Sequence, residues 1–242
     1  ENIYLPWAKV ANIAVLTEEL LRFSNPSAEL LTRDSLAAAL IERLDTDFVD
    51  PNKAAVANVS PASITNGVTP IASTGNDADA VREDARLAMM TMVAANMPLT
   101  SLVWIMPNSV ALSLGTMRNP LGQSEFPNIN VNGGTFEGIP VITSQYVPND
   151  STGNTVILAA ASEIWLSDDG QVVIDASREA SLQMLDNPTN SSAGATTPTT
   201  LVSMFQTNSV AIKAERFINW KKRRAQAVAV ITDVLWGVPG SP

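Results

Sequence analysis

The sequence predicts an α+β protein, and three observations carry that prediction. One long amphipathic helix is written between Asn25 and Val49, a second runs from about Asp77 to Asn96, and a series of short β-prone pieces punctuated by Gly and Pro follows from Leu102 onward. No period of twenty to fifty residues repeats, so stacked-repeat architectures are excluded.

The first helix is the spine. Asn25 can cap it and Pro26 then falls at the first helical position, where a missing N–H costs nothing. Leu30, Ala37, Ile41, Leu44 and Phe48 are spaced to form one apolar face, charged residues occupy most of the remainder, and Pro51 forbids continuation. A rod of roughly 30 Å needs a broad partner surface. Ahead of it, Val10–Val15 reads as a strand and Thr17–Leu21 feeds the helix. Behind it, 52–77 turns small and polar with Pro61, Gly67, Pro70 and Gly75, a long loop or domain crossing where the first boundary is placed.

In the second helix Val81, Ala85, Ala88, Met92 and Ala95 form the apolar stripe, with Asp77 and Asp79 at its positive end. Met89, Met90 and Met92 fit core packing at that spacing better than an adaptable binding surface. Leu102–Met106 is a buried-type strand and Asn108–Met117 a shorter helix. The short strands 130–132, 135–136, 139–143 and 156–160 come next. Asp168-Asp169-Gly170 is expected to turn a hairpin between 164–166 and 172–174, with 181–185 extending the same small sheet. Asp186–Thr200 contains no large apolar residue and is expected to be a solvated loop. Val210–Trp220 alternates as a long strand, Lys221–Arg224 follows, and Ala227–Leu235 is the last strand.

Composition removes most enzyme classes. The 242 residues contain no cysteine and no histidine, which eliminates disulfides, thiolate chemistry, Ser-His-Asp and Cys-His arrangements and the common zinc sites. No catalytic residue, cofactor or metal ligand is assigned, and the chain is expected not to be an enzyme. Gly133–Gly138 is glycine-rich but lacks the Lys-Ser/Thr of a phosphate loop, so it reads as a turn within a sheet. The net charge of −9 argues against a dedicated nucleic-acid binder, and no apolar run is long enough to span a bilayer. One strong charge cluster remains, Lys221, Lys222, Arg223 and Arg224. It reads either as a solvated strand end or as an inter-subunit or phosphate-backbone contact.

Four stretches then acquire a common meaning: Val15–Leu21 entering the spine, Val103–Asn108 closing with Gly115, Gly138–Ser144, and Asn208–Arg216 before the final strand. In this order they resemble the C-terminal part of the tailed-phage major capsid protein family with the Hong Kong 97-type fold, of prophage origin. The resemblance implies a peripheral domain (1–50 and 161–224, with the spine and a long sheet) and an axial domain (51–160 and 225–242). It also implies self-assembly of copies, as capsomers, into an icosahedral shell that encloses DNA, with portal or scaffold proteins as further partners, no membrane, and a location in the virion after synthesis in the host cytoplasm. The family's N-terminal arm and most of its extended loop have no counterpart between Glu1 and Pro242. The chain therefore reads as part of a longer product and is expected by itself to be a monomer or a small, salt-sensitive oligomer. Some relatives join a loop lysine to an asparagine beside a glutamate. Asn208 and Glu215 lie in the corresponding stretch, but their plainer reading is a turn residue and an ion-pair partner. Two alternatives share the resemblance: an encapsulin-like compartment shell, and the capsid part of a protease–capsid precursor.

Overall fold

The computed structural model describes residues 5–23, 27–57, 59–149, 152–185 and 200–237. In chain order its elements are β1 (Lys9–Thr17), α1 (Glu18–Phe23), α2 (Ser27–Val49), β2 (Ile71–Ala72), α3 (Ala78–Ala94), β3 (Leu102–Met106), α4 (Asn108–Thr116), β4 (Ile129–Asn130), β5 (Gly133–Phe136), β6 (Ile139–Thr143), β7 (Asn154–Ala160), β8 (Ile164–Asp168), β9 (Val173–Ser177), β10 (Ser181–Leu182), β11 (Val202–Ser203), β12 (Ser209–Lys222) and β13 (Val228–Val234). They divide into two compact units, one of Glu1–Ala8, Arg43–Asp168 and Ile218–Pro242, the other of Lys9–Glu42 and Asp169–Phe217.

The first unit is built on a seven-stranded mixed sheet in the order β2-β13-β7-β3-β6-β5-β4. In β7 every residue from Val156 to Ala160 is buried, which is what a central strand covered on both faces requires. Its neighbour β3 alternates instead, with Leu102, Trp104 and Met106 inward. Helix α3 covers the sheet with Val81, Ala85, Ala88 and Met92, all fully buried, and Asp77 caps it by accepting the Ala80 N–H at 2.9 Å. Phe136 sits at the centre of an aromatic cluster, 5.6 Å from Trp104, 5.5 Å from Phe126 and 5.9 Å from Trp236. The glycine-rich stretch is indeed a turn within this sheet: Glu137 and Gly138 take φ of 50° and 76° between β5 and β6.

In the second unit β1 runs antiparallel to β12, from Lys9 opposite Phe217 to Thr17 opposite Ser209. On this sheet Asn12 donates its side-chain amide to the Leu36 carbonyl at 3.0 Å. That bond sets the Leu36 side of the spine toward the sheet, and burial corrects the expected face. Leu36, Leu40 and Leu44 are buried, whereas Leu30 and Ile41 are 60% and 48% exposed. The sequence carries two apolar stripes that share Leu44. Adjacent positions such as Leu40 and Ile41 lie about 100° apart on a helix, so periodicity alone does not choose between them.

Two further expectations are corrected. The segments 164–168 and 173–177 do not form a hairpin with each other. Each pairs antiparallel with β12, Ile164–Asp168 with Lys222–Ile218 and Val173–Ser177 with Glu215–Ala211. Asp168-Asp169-Gly170 is thus a passage between two pairings with the same strand, with Gly170 at φ 74° and the Asp169 N–H bonded to the Phe217 carbonyl. Among the described residues, Ser181–Leu182 pairs with Val202–Ser203 as a two-stranded ribbon instead of extending the β8–β12–β9 pairings. The loop expected at 186–200 lies, except for Thr200, outside the described residues, as do Asn25 and Pro26.

Candidate functional site

The basic run spans the end of β12, where Lys221 and Lys222 pair with Trp165 and Ile164 of β8. β-Strand alternation sends these two side chains to opposite faces. Lys221 is exposed. Lys222 turns inward and donates to the Asn66 carbonyl at 3.1 Å, and burial pushes its pKa below the ordinary lysine value. Trp220, one residue earlier, donates its indole N–H to the Ala62 carbonyl at 2.8 Å and meets the Phe48 ring edge-on at 5.3 Å.

Beyond the strand, Arg223 and Arg224 converge on one carboxylate. Glu163, in the 3₁₀ turn before β8, has a side chain only 5% exposed, with Arg223 Nη1 at 3.6 Å from Oε1 and Arg224 Nε at 3.6 Å from Oε2. The Arg223 N–H also bonds the Glu163 carbonyl at 2.8 Å, and Arg224 Nη1 reaches the Asn96 carbonyl at 3.4 Å. A buried carboxylate is tolerable only with such compensation. Three of the four charges are therefore engaged within the chain, and Lys221 projects outward. Sequence reasoning missed Glu163 because nothing local distinguishes a single acid ahead of a strand; only the β8–β12 register brings it beneath the run.

Beside the run lies a largely apolar cleft of about 470 Å³, walled by Leu5, Trp7, Val56, Val59, Pro61 and Trp220 among others. A second polar centre was also missed. Asp84 is fully buried in α3 and accepts from Ser73 Oγ (2.6 Å), Thr74 N (2.9 Å), Thr74 Oγ1 (2.8 Å) and Trp236 Nε1 (2.8 Å). Here a signal existed. Asp84 lies three residues after Val81 and four before Ala88, on the apolar stripe itself, where a carboxylate calls for partners. All four donors belong to the chain, so the arrangement ties a loop, a helix and the segment after β13 together and leaves no open position for chemistry.

Asn208 and Glu215 are not brought together. Asn208 is a turn residue at φ 50° just ahead of β12. Glu215 stands seven residues on, roughly 20 Å along an extended strand. It is paired with Lys213 at 2.9 Å and Lys9 at 3.7 Å, and the Lys213 ammonium holds its carboxyl below the ordinary glutamate value. Among the described residues no group of three or more acidic side chains could hold a metal ion, and no helix is long and apolar enough to cross a membrane.

With this geometry in place, comparison with known proteins is decisive. The family model described as phage capsid family matches residues 1–233. The chain belongs to the phage capsid family. A capsid polyprotein of Pseudomonas phage PAJU2 is 56% identical over 232 residues, which are 95% of this chain and 34% of that protein, so the chain spans about a third of the length of this curated relative. Among solved structures, a chain of Gordonia phage Cozz superposes with a TM-score of 0.68 at 15% identity, covering 94% of this chain and 70% of that one. The capsid of an empty GTA particle computed with C5 symmetry gives a TM-score of 0.59 at 11% identity, covering 94% and 72%. The fold is the α+β, Hong Kong 97-like capsid fold.

Proposed function

We propose that this capsid-family chain is the shell-forming part of a phage or prophage major capsid protein, whose copies assemble as capsomers into an icosahedral shell around DNA. The observation that carries the reading is the family match over residues 1–233, joined to a fold shared with solved phage chains. The subunit is made in the host cytoplasm and resides in the virion, where portal and scaffold proteins and the packaged DNA are its further partners. The relative's printed name, capsid polyprotein, and the 34% of it that the chain covers favour a second reading as well, the capsid part of a longer precursor.

Within the subunit, we read 51–160 and 225–242 as the axial domain and 1–50 with 161–224 as the peripheral domain, whereas the compact units group 1–8, 43–50, 161–168 and 218–224 with the former. Lys221, Lys222, Arg223 and Arg224 mark an inter-subunit contact. Lys221 carries the charge to the neighbour, the half-exposed guanidinium groups of Arg223 and Arg224 add to it, and Lys222 serves mainly to seat the strand end. Negative-stain microscopy of the expressed complete open reading frame tests the whole reading: closed shells are expected, and a product that stays unassembled under all conditions that fold it overturns it. Lys221→Glu should lower assembly at low salt and converge with the unmodified protein at high salt, where screening removes the contribution of an exposed charge.

A further inference from the structure

Between α4 and β4 the chain makes a turn whose tip is apolar and whose backbone is tied on both sides. Leu121 stands 84% exposed at the tip. Beneath it Asn119 acts as a bolt: its Oδ1 accepts the N–H of Leu121 at 3.0 Å and of Gln123 at 2.9 Å. Its backbone N–H donates to the Gln123 carbonyl and its carbonyl accepts the Gly122 N–H, both at 2.9 Å. Gly122 takes φ 77°, a conformation that favours glycine.

The base of the turn is held as firmly. The Glu125 N–H bonds the Met117 carbonyl at 3.0 Å, Glu125 is paired with Arg82 of α3, and Phe126 is buried edge-on to Phe136. Rigidity therefore runs from the core to the tip. A single exposed leucine is ordinary on a protein surface. A leucine presented on a turn locked in this way is different, because the ordering cost that a docking side chain and loop normally incur is already met in the free molecule.

Arg118 supplies a second, independent mark. Within this unit the guanidinium groups of Arg43, Arg82, Arg86, Arg223 and Arg224 each have a carboxylate partner. Arg118 has none among the described residues. Its Nη1 bonds the Gly122 carbonyl at 3.2 Å, which holds the cation at the shoulder of the same turn. Arginine is among the residue types that dominate binding energy at protein interfaces, and here it is positioned beside an apolar side chain that is already held in place.

We propose that the turn Met117–Phe126 is a preorganised anchor by which one copy of this chain grips a second copy, Leu121 entering an apolar recess and Arg118 meeting a carboxylate at its rim. The choice of a second copy rests on the capsid reading; with 24 acidic against 15 basic residues each copy holds more carboxylates than cations, so carboxylates remain for Arg118 of a neighbour to meet.

The test uses the complete product, with particle yield by microscopy and melting temperature as separate readouts. Leu121→Asp and Arg118→Glu should each lower particle yield, Leu121→Asp by about tenfold or more as expected for a central anchor. Both should melt like the unmodified protein, because neither side chain is buried in the subunit. Leu121→Met should assemble normally. Full particle yield from Leu121→Asp overturns the anchor and leaves the capsid reading intact. Absence of particles from the unmodified protein overturns the capsid reading. In that case concentration-dependent sedimentation decides the anchor by itself: weaker self-association of Leu121→Asp supports it, and identical behaviour of the two proteins overturns it.

Discussion

The two compact units spend their apolar residues differently. In the unit around β7, the large fully buried side chains include Trp104, Trp236, Phe136, Met92, Met106, Leu114, Ile157, Leu158 and Ile231; in the other, Leu40 and Met204. The second unit, the smaller of the two, leaves Ile13, Leu20, Phe23, Leu30, Leu31, Ile41 and Phe205 substantially exposed, and all five residues of β9 with them, whereas the first exposes side chains such as Trp7, Leu121 and Leu166 beside a far larger buried set. One unit closes a core on itself, with strands covered on both faces. The other is a sheet and a helix segment whose apolar groups exceed what they cover for each other. Burial thus follows the number of layers available, not the number of apolar residues in the sequence.

The sharpest way to break this contrast is to remove a keystone from each unit. Trp236 is 1% exposed, packs against Phe136 and donates to Asp84. Trp236→Ala should cost about 4 kcal/mol by chemical denaturation. Ile13→Ala, an apolar truncation on the open sheet, should cost under about 0.5 kcal/mol. Comparable losses would mean that the second unit is as closed as the first.

Asp84 comes next. Asp84→Ala strands the hydroxyls of Ser73 and Thr74, the Thr74 N–H and the Trp236 indole N–H in a buried site, and a loss of about 3 kcal/mol is expected. Because Asp84 and Trp236 share a hydrogen bond, the double variant should lose less than the sum of the singles. Strict additivity in the cycle would show that the carboxylate and the indole are energetically separate.

These two sites also mark how far the sequence can be read. The strands 102–106 and 139–143, the helix after Asp77 and the stripe Val81-Ala85-Ala88-Met92 were legible because their cover lies within the same unit, where periodicity and burial agree. The spine's buried face was not, since both Leu40 and Ile41 are apolar and the side that meets the sheet shows only through contacts such as Asn12 with Leu36, from a strand distant in sequence. The hairpin expected at Asp168–Gly170 failed for a related reason. A turn signal between two strands says that the chain changes course, but not which strand supplies the ladder, and β12 offers enough length to pair with both. Of the candidate site, the four charges were legible as a run, whereas Glu163 and Asn66 became visible only through register.

A smaller effect tests the spine directly. Leu40 is 1% exposed and Ile41 48% exposed, adjacent in sequence and similar in size. Leu40→Ala should destabilise by about 2.5 kcal/mol and Ile41→Ala by under about 1 kcal/mol. The reverse order would restore the Leu30–Ala37–Ile41–Leu44–Phe48 face and move the contact away from Asn12.

The smallest expected effect distinguishes the lysine that serves the fold from the one that faces outward. Burial lowers the pKa of Lys222, while in the unfolded chain the same group titrates near the ordinary lysine value of about 10.4. Below its folded pKa the group is protonated in both states, and the cost of keeping a half-buried ammonium is carried in full at neutral pH. As pH rises from that folded value to the ordinary one, the folded chain releases its proton while the unfolded chain still holds it. The unfolded state then binds more protons, so this group makes stability rise with pH across that window. Lys222→Met should remove the rising contribution, leaving a flatter alkaline limb in denaturation midpoints measured against pH, although it also sacrifices the bond to the Asn66 carbonyl. Lys221→Met, at the exposed neighbouring position, should leave the limb unchanged. If the two variants and the unmodified chain follow parallel alkaline limbs, Lys222 is as freely solvated as Lys221, and both lysines of the run are open to a neighbour.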